Sequence, residues 1–576
     1  MHYGDGHPFR SGRRLAILCL AAAAISRPAG AWAEELPLLP DTQRPTAAPT
    51  QQDQRSLDER KSGNALPASG ATAAPPSAGQ GQALFLLRHV AISGSSAVPQ
   101  AALDGAVQDY VGRRVSLGDL QAMTSALSEL YRAQGFHLTR AIIPPQDLAS
   151  GVLNVSIVEG GITEIVVKGD DGAFGVASVL APIAQERPSR RQTLESKLLL
   201  VNDRPGVRVT DTTIDEVVPS SGQFKLTVTV QTWRAYTAAG VDNLGSAAVG
   251  PWQASANAAL NSIILPGDTL AISGSTVPNS SREMRFGRIS YDAPIGWDNL
   301  RLGVMASTSH IWPGDQRRWY RTTSRADTYE LRASYAPLLS QHHSLWLTGS
   351  IGLIDATEQN AYGMSYEDRF RVASIGADYK GHLSDGSWTY ASATFKKALG
   401  FDGASAKDGW ISRFGASGHF SVFNGALTHY QNLIENWSLK LAAAGQVASG
   451  PLPISQQYNL GGNWFGRGLP GGWISGDNAI AGSAELRYDG SFNSAFAKGY
   501  QLYAFVDGGV TETKYEPRNL VQSIASIGAG VRVFITNEWQ AGVGIAKPIA
   551  YRSPVTHDRG ATFLFSLSYA LRIGRS

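Results

Sequence analysis

The chain has 576 residues, of which 62 are glycine, one is cysteine and 17% are charged. This length allows several domains, and a single cysteine excludes a scaffold held by disulfide bonds. Ordinary soluble domains carry about 25% charged residues. The chain is therefore poorer in charge than a typical soluble protein.

Residues 1–33 have the pattern of an export signal. Basic residues precede an apolar run from Leu15 to Ile25, and Ala31-Trp32-Ala33 supplies the small residues of a signal-peptidase site. The run is too short for a spanning helix, which needs about 20 residues. We therefore predict that residues 1–33 are a cleaved signal and not an anchor.

Cleavage changes the charge of the chain. It removes four of the 50 basic residues and one of the 47 acidic ones, so the mature chain is formally neutral. A neutral chain lacks the basic surface typical of nucleic-acid binders. The only cysteine, Cys19, leaves with the signal, which excludes thiol chemistry in the mature protein.

Residues 34–83 are rich in Pro, Ala, Gln and Ser and too poor in large apolar residues to form a core. This composition predicts a flexible periplasmic lead-in. Within it, Gln51–Lys61 fits a short polar helix as well as it fits plain linker. Whether that helix plugs a pore at rest stays open.

Residues 84–160 predict a small α+β module in the order strand, helix, helix, strand, strand. Ser116 and Asp119 form a capping box that starts the second helix, and Gly135 ends it. The segments FHLTRAIIPPQ and GVLNVSIVEGG then alternate as strands.

Residues 161–234 predict a second module with the same pattern. It opens with the strand ITEIVVKG, continues through helices around 174–183 and 193–201, and closes with the strand FKLTVTVQ. Two tandem modules of one pattern indicate an internal repeat.

Residues 235–576 consist of short segments in which apolar and polar residues alternate, separated by Gly, Asn, Asp and Ser turns. The clearest examples are YELRASY (329–335), RFGASGHFSV (413–422), SAELRYDG (483–490) and TFLFSLSYALRIG (562–574). In the second of these, the alternation places Phe420 and Val422 on the apolar face. A soluble sandwich would also alternate. However, charges recur on the polar face and aromatics cluster near strand ends, which favours a transmembrane β-barrel of about 16 antiparallel strands with a wet lumen.

With these features the chain resembles the outer-membrane transporters of two-partner secretion, the haemolysin secretion/activation family. IIPPQDLASGVLNVSIVEGGI and LLLVNDRPGVRV are similar to that family's first and second periplasmic POTRA domains. VDNLGSAAVG with the later PGDTL resembles the entry into its first barrel hairpin, and YDAPIG resembles a later turn. The resemblance implies an all-β transmembrane barrel preceded by two small α+β POTRA domains, with the boundaries given above.

The most specific parts of the resemblance are LGGNWFGRGLPGGWISGD and the strand motif FVDGG. In the family, the loop folds back into the lumen and its Arg bonds to the Asp of the strand. Carried over, the lumenal gate pair is Arg467 and Asp507. The loop motif contributes Gly466, Gly468 and Leu469, and the strand motif contributes Phe505 and Gly509. Gly466 and Leu469 stand where the family usually has Val and an aromatic residue.

A long loop loses conformational entropy when it docks in a wide pore, and a bidentate contact between Arg and a carboxylate fixes one geometry. We expect the lumen to leave this pair partly wet and therefore breakable. That property suits a gate.

The modules suggest how a client is received. An exposed strand edge can add an extended, unfolded chain through main-chain hydrogen bonds. The resemblance implies that Pro145, Gln146, Glu159 and Gly160 form the client-binding POTRA motif. The alternative interpretation is that the modules are only a spacer.

The motifs HExxH, GxSxG and GxxxxGK[ST] and any cysteine cluster are absent from the sequence. We predict no enzymatic activity, no cofactor and no metal. A Ser-His outer-membrane lipase stays open by motif alone, but it leaves two periplasmic modules unexplained.

The predicted function is an outer-membrane channel of a Gram-negative cell that binds an unfolded TpsA-like partner exoprotein and secretes it through the barrel lumen. Whether the client is also activated stays open. We expect outer-membrane lipid and the barrel-assembly machinery as further partners, no nucleic acid, and a monomer. The alternatives are an insertase for outer-membrane proteins and, less favoured, a passive porin.

Overall fold

We describe the chain from a computed structural model. The structure describes residues 84–574 except for short gaps at 247, 280–282, 297–298, 341, 384–385, 402, 406–409, 493–496, 516–517 and 553–559. The predicted signal (1–33), the lead-in (34–83) and the helix of Gln51–Lys61 lie outside the described residues. Within those ranges, no helix combines the length and apolar character needed to cross a membrane.

The first module has the predicted element order. Its elements are β1 (Phe85–Leu86), β2 (His89–Ser93), α1 (Gln100–Val107), β3 (Arg114–Val115), α2 (Leu117–Ala133), β4 (Arg140–Ile142) and β5 (Val152–Val158). The capping box of α2 is confirmed, since the Asp119 amide donates to the Ser116 hydroxyl at 3.2 Å and the Ser116 amide donates back to the Asp119 carboxylate at 2.8 Å. Helix α2 buries Met123, Leu127 and Tyr131 in the module core.

The strand predicted from FHLTRAIIPPQ is much shorter than expected, because only Arg140–Ile142 pairs with β5. Pro144 and Pro145 have no N–H to donate to a strand ladder. The side-chain amide of Gln146 takes over: it accepts from the amide of Asn154 at 2.7 Å and donates to its carbonyl at 2.8 Å.

The second module repeats the first. Its elements are β6 (Gly161–Lys168), α3 (Val176–Gln185), α4 (Arg191–Asn202), β7 (Val207–Glu216) and β8 (Gln223–Thr232). In the first module β2 pairs in parallel with the last strand, β5, and in the second module β6 pairs in parallel with the last strand, β8. In both modules the last strand pairs antiparallel with the one before it, whereas β1 and β3 of the first module form a separate antiparallel pair. The predicted repeat is therefore confirmed at the level of topology.

Sixteen antiparallel strands close into a barrel, as the sequence predicts. They are β9 (Ala235–Asp242), β10 (Gln253–Asn261), β11 (Thr269–Thr276), β12 (Met284–Pro294), β13 (Leu300–Ile311), β14 (Thr323–Leu339), β15 (His343–Asn360), β16 (Gly363–His382), β17 (Trp388–Leu399), β18 (Ser421–Ile434), β19 (Trp437–Ala448), β22 (Asn478–Ser491), β23 (Gly499–Thr513), β24 (Leu520–Phe534), β25 (Trp539–Arg552) and β26 (Thr562–Ile573). Strand β26 pairs with β9 and completes the circle. Two short strands, β20 (Tyr458–Leu460) and β21 (Ile474–Gly476), form a separate hairpin inside the loop between β19 and β22.

Side chains of the barrel strands alternate between lipid and lumen as expected. On β14, Tyr329 and Leu331 are 55% and 56% exposed on the outer face, whereas Arg332 is 2% exposed on the inner face. Ser483, Glu485 and Arg487 of β22 are likewise buried inside. The polar face of each strand therefore lines the lumen.

One predicted strand is wrong. RFGASGHF is a loop before β18, which begins only at Ser421. Gly415 turns the chain there with a φ of +77°. Phe420 and Val422 are both 2% exposed inside the barrel, where they pack with Phe370 and Leu452. The alternation of apolar and polar residues does not reveal that a folded loop, and not lipid, buries these two side chains.

The second module rests directly on the barrel rim. Its core includes Ala336 and Leu339 from the end of β14. Arg204 donates to the carbonyl of Pro266 in the turn between β10 and β11 at 3.2 Å. Because consecutive strands are antiparallel, turns on this side face the modules, and loops such as 449–477 lie at the opposite, extracellular end.

Candidate functional site

The loop of residues 449–477 folds back from the extracellular end into the lumen. Leu460, Phe465, Leu469 and Ile474 of this loop are buried in one cluster with barrel residues, among them Ile524. Burial of apolar side chains against the wall is the main favourable contribution to docking. We call residues 449–477 the inward loop.

Arg467 lies at the tip of the inward loop and binds two strands. Its Nε donates to Oδ2 of Asp507 at 2.6 Å, and its Nη1 donates to Oε2 of Glu485 at 2.6 Å. Its Nη2 donates to the hydroxyl of Ser483 at 3.1 Å. The structure thus brings together the arginine and the aspartate that the two sequence motifs contribute, and adds a second carboxylate.

Asp507 also receives the backbone of the loop tip. Its Oδ1 accepts from the amides of Gly466 at 2.9 Å and Arg467 at 3.2 Å. Gly466 has a φ of +89°, a left-handed conformation that glycine adopts at little cost. A side chain at Gly466 would also meet Ile524, since an added Cβ would lie 2.3 Å from its Cδ1. Glycine in place of the family's usual Val therefore fits the tight turn.

Phe505 forms the floor of the site. The guanidinium carbon of Arg467 lies 3.3 Å from the centre of the Phe505 ring. Arginine stacked on an aromatic face gains a cation–π attraction. Beneath the ring is Gly528 of β24, where an added Cβ would lie 2.5 Å from Cζ of Phe505. The missing side chain at Gly528 lets the ring lie close to the wall.

The other motif residues build the same contact. The Gly468 amide donates to Ser526 Oγ at 3.0 Å. Gly509 lets the loop approach β23, because an added Cβ would lie 2.7 Å from Leu460. Leu469, which replaces an aromatic residue of the family, is 2% exposed in the loop core. The tip is thus packed despite both departures from the family pattern.

Glu485 is the functional residue that sequence reasoning missed. Besides Arg467 it accepts from Nε of Arg487 at 2.8 Å and from Nη1 of Arg532 at 3.0 Å. The alternation of SAELRYDG already placed Glu485 on the polar face. Its pairing with the loop depends on strand register, since Glu485 stands opposite Phe505 across β22 and β23.

The expectation that the Arg467–Asp507 pair is partly wet is wrong while the inward loop is docked. The side chain of Arg467 is 10% exposed, that of Glu485 is 3% exposed and that of Asp507 is fully buried. Water is excluded because the loop core and the Phe505 ring enclose the charges. Removing one partner from a buried pair typically costs about 3–5 kcal/mol, so the docked loop is held more firmly than a solvated pair would hold it.

The predicted client-binding motif of the first module has an internal role. Oε1 of Glu159 accepts from the amides of Ser96 at 2.7 Å and Ala97 at 2.9 Å and from the Tyr131 hydroxyl at 2.9 Å. Burial tends to raise the pKa of Glu159, but the hydrogen bonds from Ser96, Ala97 and Tyr131 outweigh it and hold that pKa below its usual range. Glu159 therefore fixes the loop after β2.

The remaining motif residues shape the module. Pro145 and Gln146 close the edge beyond β4, as described above. The Gly160 carbonyl accepts from Ser189 at 2.9 Å at the junction with the second module. An added Cβ at Gly160 would lie 2.3 Å from the carbonyl oxygen of Leu138. The structure does not bring these residues together with Arg467 and Asp507.

Comparison with known proteins agrees with this architecture. Residues 222–533 match the family described as haemolysin secretion/activation protein ShlB/FhaC/HecB, and residues 85–160 match the ShlB-type POTRA domain. The chain belongs to the haemolysin secretion/activation family. It is therefore an outer-membrane translocation channel for a partner protein, with its POTRA region in the periplasm.

Relatives of this family cover most of the chain. It is 24% identical over 457 residues to the heme/hemopexin transporter protein HuxB of Haemophilus influenzae strain 86-028NP, a match that covers 77% of this chain and 80% of HuxB. It is 22% identical over 482 residues to the outer membrane transporter CdiB of Escherichia coli, covering 80% of this chain and 79% of CdiB.

Solved structures share the fold. CdiB from Escherichia coli matches with a TM-score of 0.74 at 20% identity and covers 90% of this chain and 97% of its own. CdiB from Acinetobacter baumannii matches with a TM-score of 0.64 at 16% identity and covers 90% and 98%.

Proposed function

We propose that this transporter secretes one large, mainly β-structured TpsA-like protein, and that the Arg467–Asp507 contact is the gate of its channel. The observation that carries the gate is the position of Arg467: it holds a folded loop inside the lumen through which the client has to pass. The loop has to leave its carboxylates before a chain can thread past it.

The client enters through the modules by strand addition, and the second module offers the better edge. β7 is an outer strand of its sheet and is ten residues long, whereas β4 of the first module has three residues and ends at the prolines. Longer edges give an extended client more main-chain hydrogen bonds. The client then moves into the barrel, and its folding outside prevents return.

The same proposal covers the partners. The transporter acts as a monomer in outer-membrane lipid after insertion by the barrel-assembly machinery, without enzymatic activity, cofactor or metal. The sequence supports this through its lack of nucleotide and metal motifs, since no local ATP drive is then available.

The gate is tested by secretion. A candidate exoprotein that the wild-type transporter secretes is co-expressed with wild-type, Arg467→Ala or Arg318→Ala transporter. Arg318 is an exposed extracellular arginine and serves as the matched control. We expect Arg467→Ala to change the amount of client in the medium at equal barrel levels. Unchanged secretion would disprove the gate role, and loss of many outer-membrane proteins on gene deletion would favour an insertase.

The edge is tested by cross-linking. A photoreactive side chain at Thr213 of β7, which is exposed, is expected to capture a stalled client. The same group at the exposed Asp104 of α1 is the control. Equal capture at both positions would argue against strand addition at β7.

A further inference from the structure

A second loop packs at the extracellular mouth of the barrel. Residues 410–420, here called the mouth segment, run inward before β18. The amide of Ser412 donates to Oδ1 of the fully buried Asp368 on β16 at 2.9 Å. The carbonyl of Phe420 accepts from Ala398 of β17 at 2.9 Å. The segment is thus fixed to two neighbouring strands of the wall.

Arg413 connects the mouth segment to the base of the inward loop. Its Nη1 donates to Oδ1 of Asp477 at 2.5 Å and to the carbonyl of Leu452 at 3.0 Å. The side chain of Arg413 is 7% exposed and that of Asp477 is fully buried. Asp477 precedes β22 and also accepts from the amide of Lys514, just after β23, at 2.7 Å. Arg413 therefore reaches from the β16–β18 side of the mouth to the β22–β23 side.

An apolar cluster lies beneath this contact. Phe420 and Leu452 pack on wall residues of β15 to β19 that face the lumen, and the rings of Phe370 and Phe420 meet edge to face at 5.5 Å. Phe370 and Leu452 are fully buried. The lumen of a water-filled pore is lined by polar side chains. Large apolar side chains buried in the lumen therefore indicate a closed plug.

The loops continue across the rest of the mouth. The amide of Ile454 in the inward loop donates to the Ser412 hydroxyl at 3.0 Å. On the far side of the inward loop, an added Cβ at Gly462 would lie 3.4 Å from the carbonyl oxygen of Leu244 in the loop after β9. In that loop, the carbonyl of Ala248 accepts at 2.8 Å from the amide of Gly314, which lies in the loop after β13.

We propose that Arg413 is the positioning residue of a second barrier, at the extracellular mouth, that acts in series with the Arg467 site. The mouth segment and the base of the inward loop separate only when the Arg413–Asp477 pair breaks. Release of Arg467 from Asp507 alone frees the loop tip and leaves the mouth closed. This inference goes beyond the proposed gate, because it assigns a barrier to residues that do not contact that gate.

The experiment is a double-mutant cycle read as channel conductance. Wild-type, Arg413→Ala, Arg467→Ala and the double variant are purified in full length and inserted in planar lipid bilayers, with Arg318→Ala as the control. Two barriers in series predict that each single variant stays mostly closed and that the double variant conducts several-fold more than the sum of the two single increases. If Arg467→Ala alone conducts as much as the double variant, or the double variant conducts no more than the singles, the proposal is overturned.

A reversible tether separates closure from misfolding. Residues 34–576 contain no cysteine, so Ser412→Cys and Ile454→Cys add the only pair of cysteines in that part of the chain, between the mouth segment and the inward loop. In the double variant we expect oxidation of this pair to lower the conductance and reduction to restore it. Conductance that ignores the redox state in a correctly inserted barrel would also contradict the proposal. Because conductance needs no client, its outcome is independent of the secretion test.

Discussion

Asp507 and Glu485 both pair with Arg467, but they differ in the hydrogen-bond partners that remain when the inward loop leaves. The described partners of Asp507 are the side chain of Arg467 and the amides of Gly466 and Arg467, all from the inward loop. Glu485 keeps Arg487 and Arg532 from the wall. Undocking therefore removes all of these partners of Asp507, whereas Glu485 stays paired with Arg487 and Arg532. The free-energy cost of opening falls mainly on Asp507.

This asymmetry predicts that Asp507→Asn releases the loop more than Glu485→Gln does. The asparagine carbonyl still accepts from the loop amides, but the charged contact to Arg467 is lost, and roughly 3–5 kcal/mol of docking free energy is at stake for a buried pair. Release is measured with trypsin on intact cells in an Arg413→Ala background, which removes the Arg413–Asp477 pair at the mouth, because trypsin then cuts after Arg467 only when the loop tip leaves its site. Asp327→Asn, in an ion pair outside the loop site, is the control. Greater cleavage in Glu485→Gln than in Asp507→Asn would refute the asymmetry.

Arg467→Lys tests whether geometry or charge holds the loop. Lysine keeps the charge, but a single ammonium cannot reach Asp507, Glu485 and Ser483 in the planar arrangement that the guanidinium uses. We expect tryptic exposure after residue 467 close to that of Asp507→Asn. Wild-type protection in Arg467→Lys would show that charge alone is sufficient.

In the first module, Glu159 predicts an acid-sensitive loop. Its pKa is lowered in the folded module, so the stabilisation it gives is present at neutral pH and is lost as the pH falls through the folded pKa, below the usual carboxyl value of about 4. Hydrogen exchange of the Ser96 and Ala97 amides, compared between wild type and Glu159→Gln at the same pH, measures this. We expect faster exchange in the variant at pH 7 and a difference that shrinks as the pH falls below the usual carboxyl value. A constant difference at all pH values would contradict the assignment.

At the scale of elements, the sequence predicts which face of a strand a residue lies on better than it predicts which residues that residue contacts. The period of two in YELRASY and SAELRYDG is enough to assign lipid and lumen sides, because lipid and water select opposite residues. The same rule misplaces Phe420 and Val422, which a folded loop buries inside the lumen. The family motif pointed to Arg467 and Asp507, whereas Glu485 as a third member required the register of β22 and β23. Pairings set by register and loop docking are long-range, so local pattern does not determine them.

The close packing of β23 on β24 gives a prediction for an element. Gly528→Ala would place a methyl group 2.5 Å from Cζ of Phe505 and also 2.5 Å from the Ile545 carbonyl oxygen. Overpacking of this kind costs about 1–3 kcal/mol and would shift the ring that supports Arg467. We expect a lower unfolding temperature of the barrel by gel mobility and more tryptic cleavage after Arg467. Gly349→Ala on β15, where an added Cβ meets nothing within 4 Å, should change neither; an equal effect there would reject the packing argument.

At the scale of the whole molecule, the second module and the barrel share a core. Ala336 and Leu339 of β14 are 0% and 6% exposed and pack with the helices of the module. The two modules are themselves joined by Arg140 and Glu216 at 2.6 Å. Interfaces between domains of one chain are often loose, but burial of barrel residues in a module core favours one fixed orientation. The proposed client edge at β7 is then held at a constant position relative to the lumen.

Leu339→Ala is expected to loosen this arrangement. Removing a buried leucine side chain typically costs about 2–5 kcal/mol, here partly from the module–barrel interface. Spin labels at Thr213 of β7 and at Ile264, which is 72% exposed in the turn after β10, report the distance between module and barrel rim. We expect a broader distance distribution in Leu339→Ala and reduced client secretion at equal barrel levels. Leu331→Ala, a lipid-facing leucine of the same strand, should leave the distribution narrow. If Leu339→Ala leaves the distribution equally narrow, the shared core does not set the orientation of the modules, and the position of the proposed client edge would have to be fixed by other contacts, such as that of Arg204 with the turn after β10.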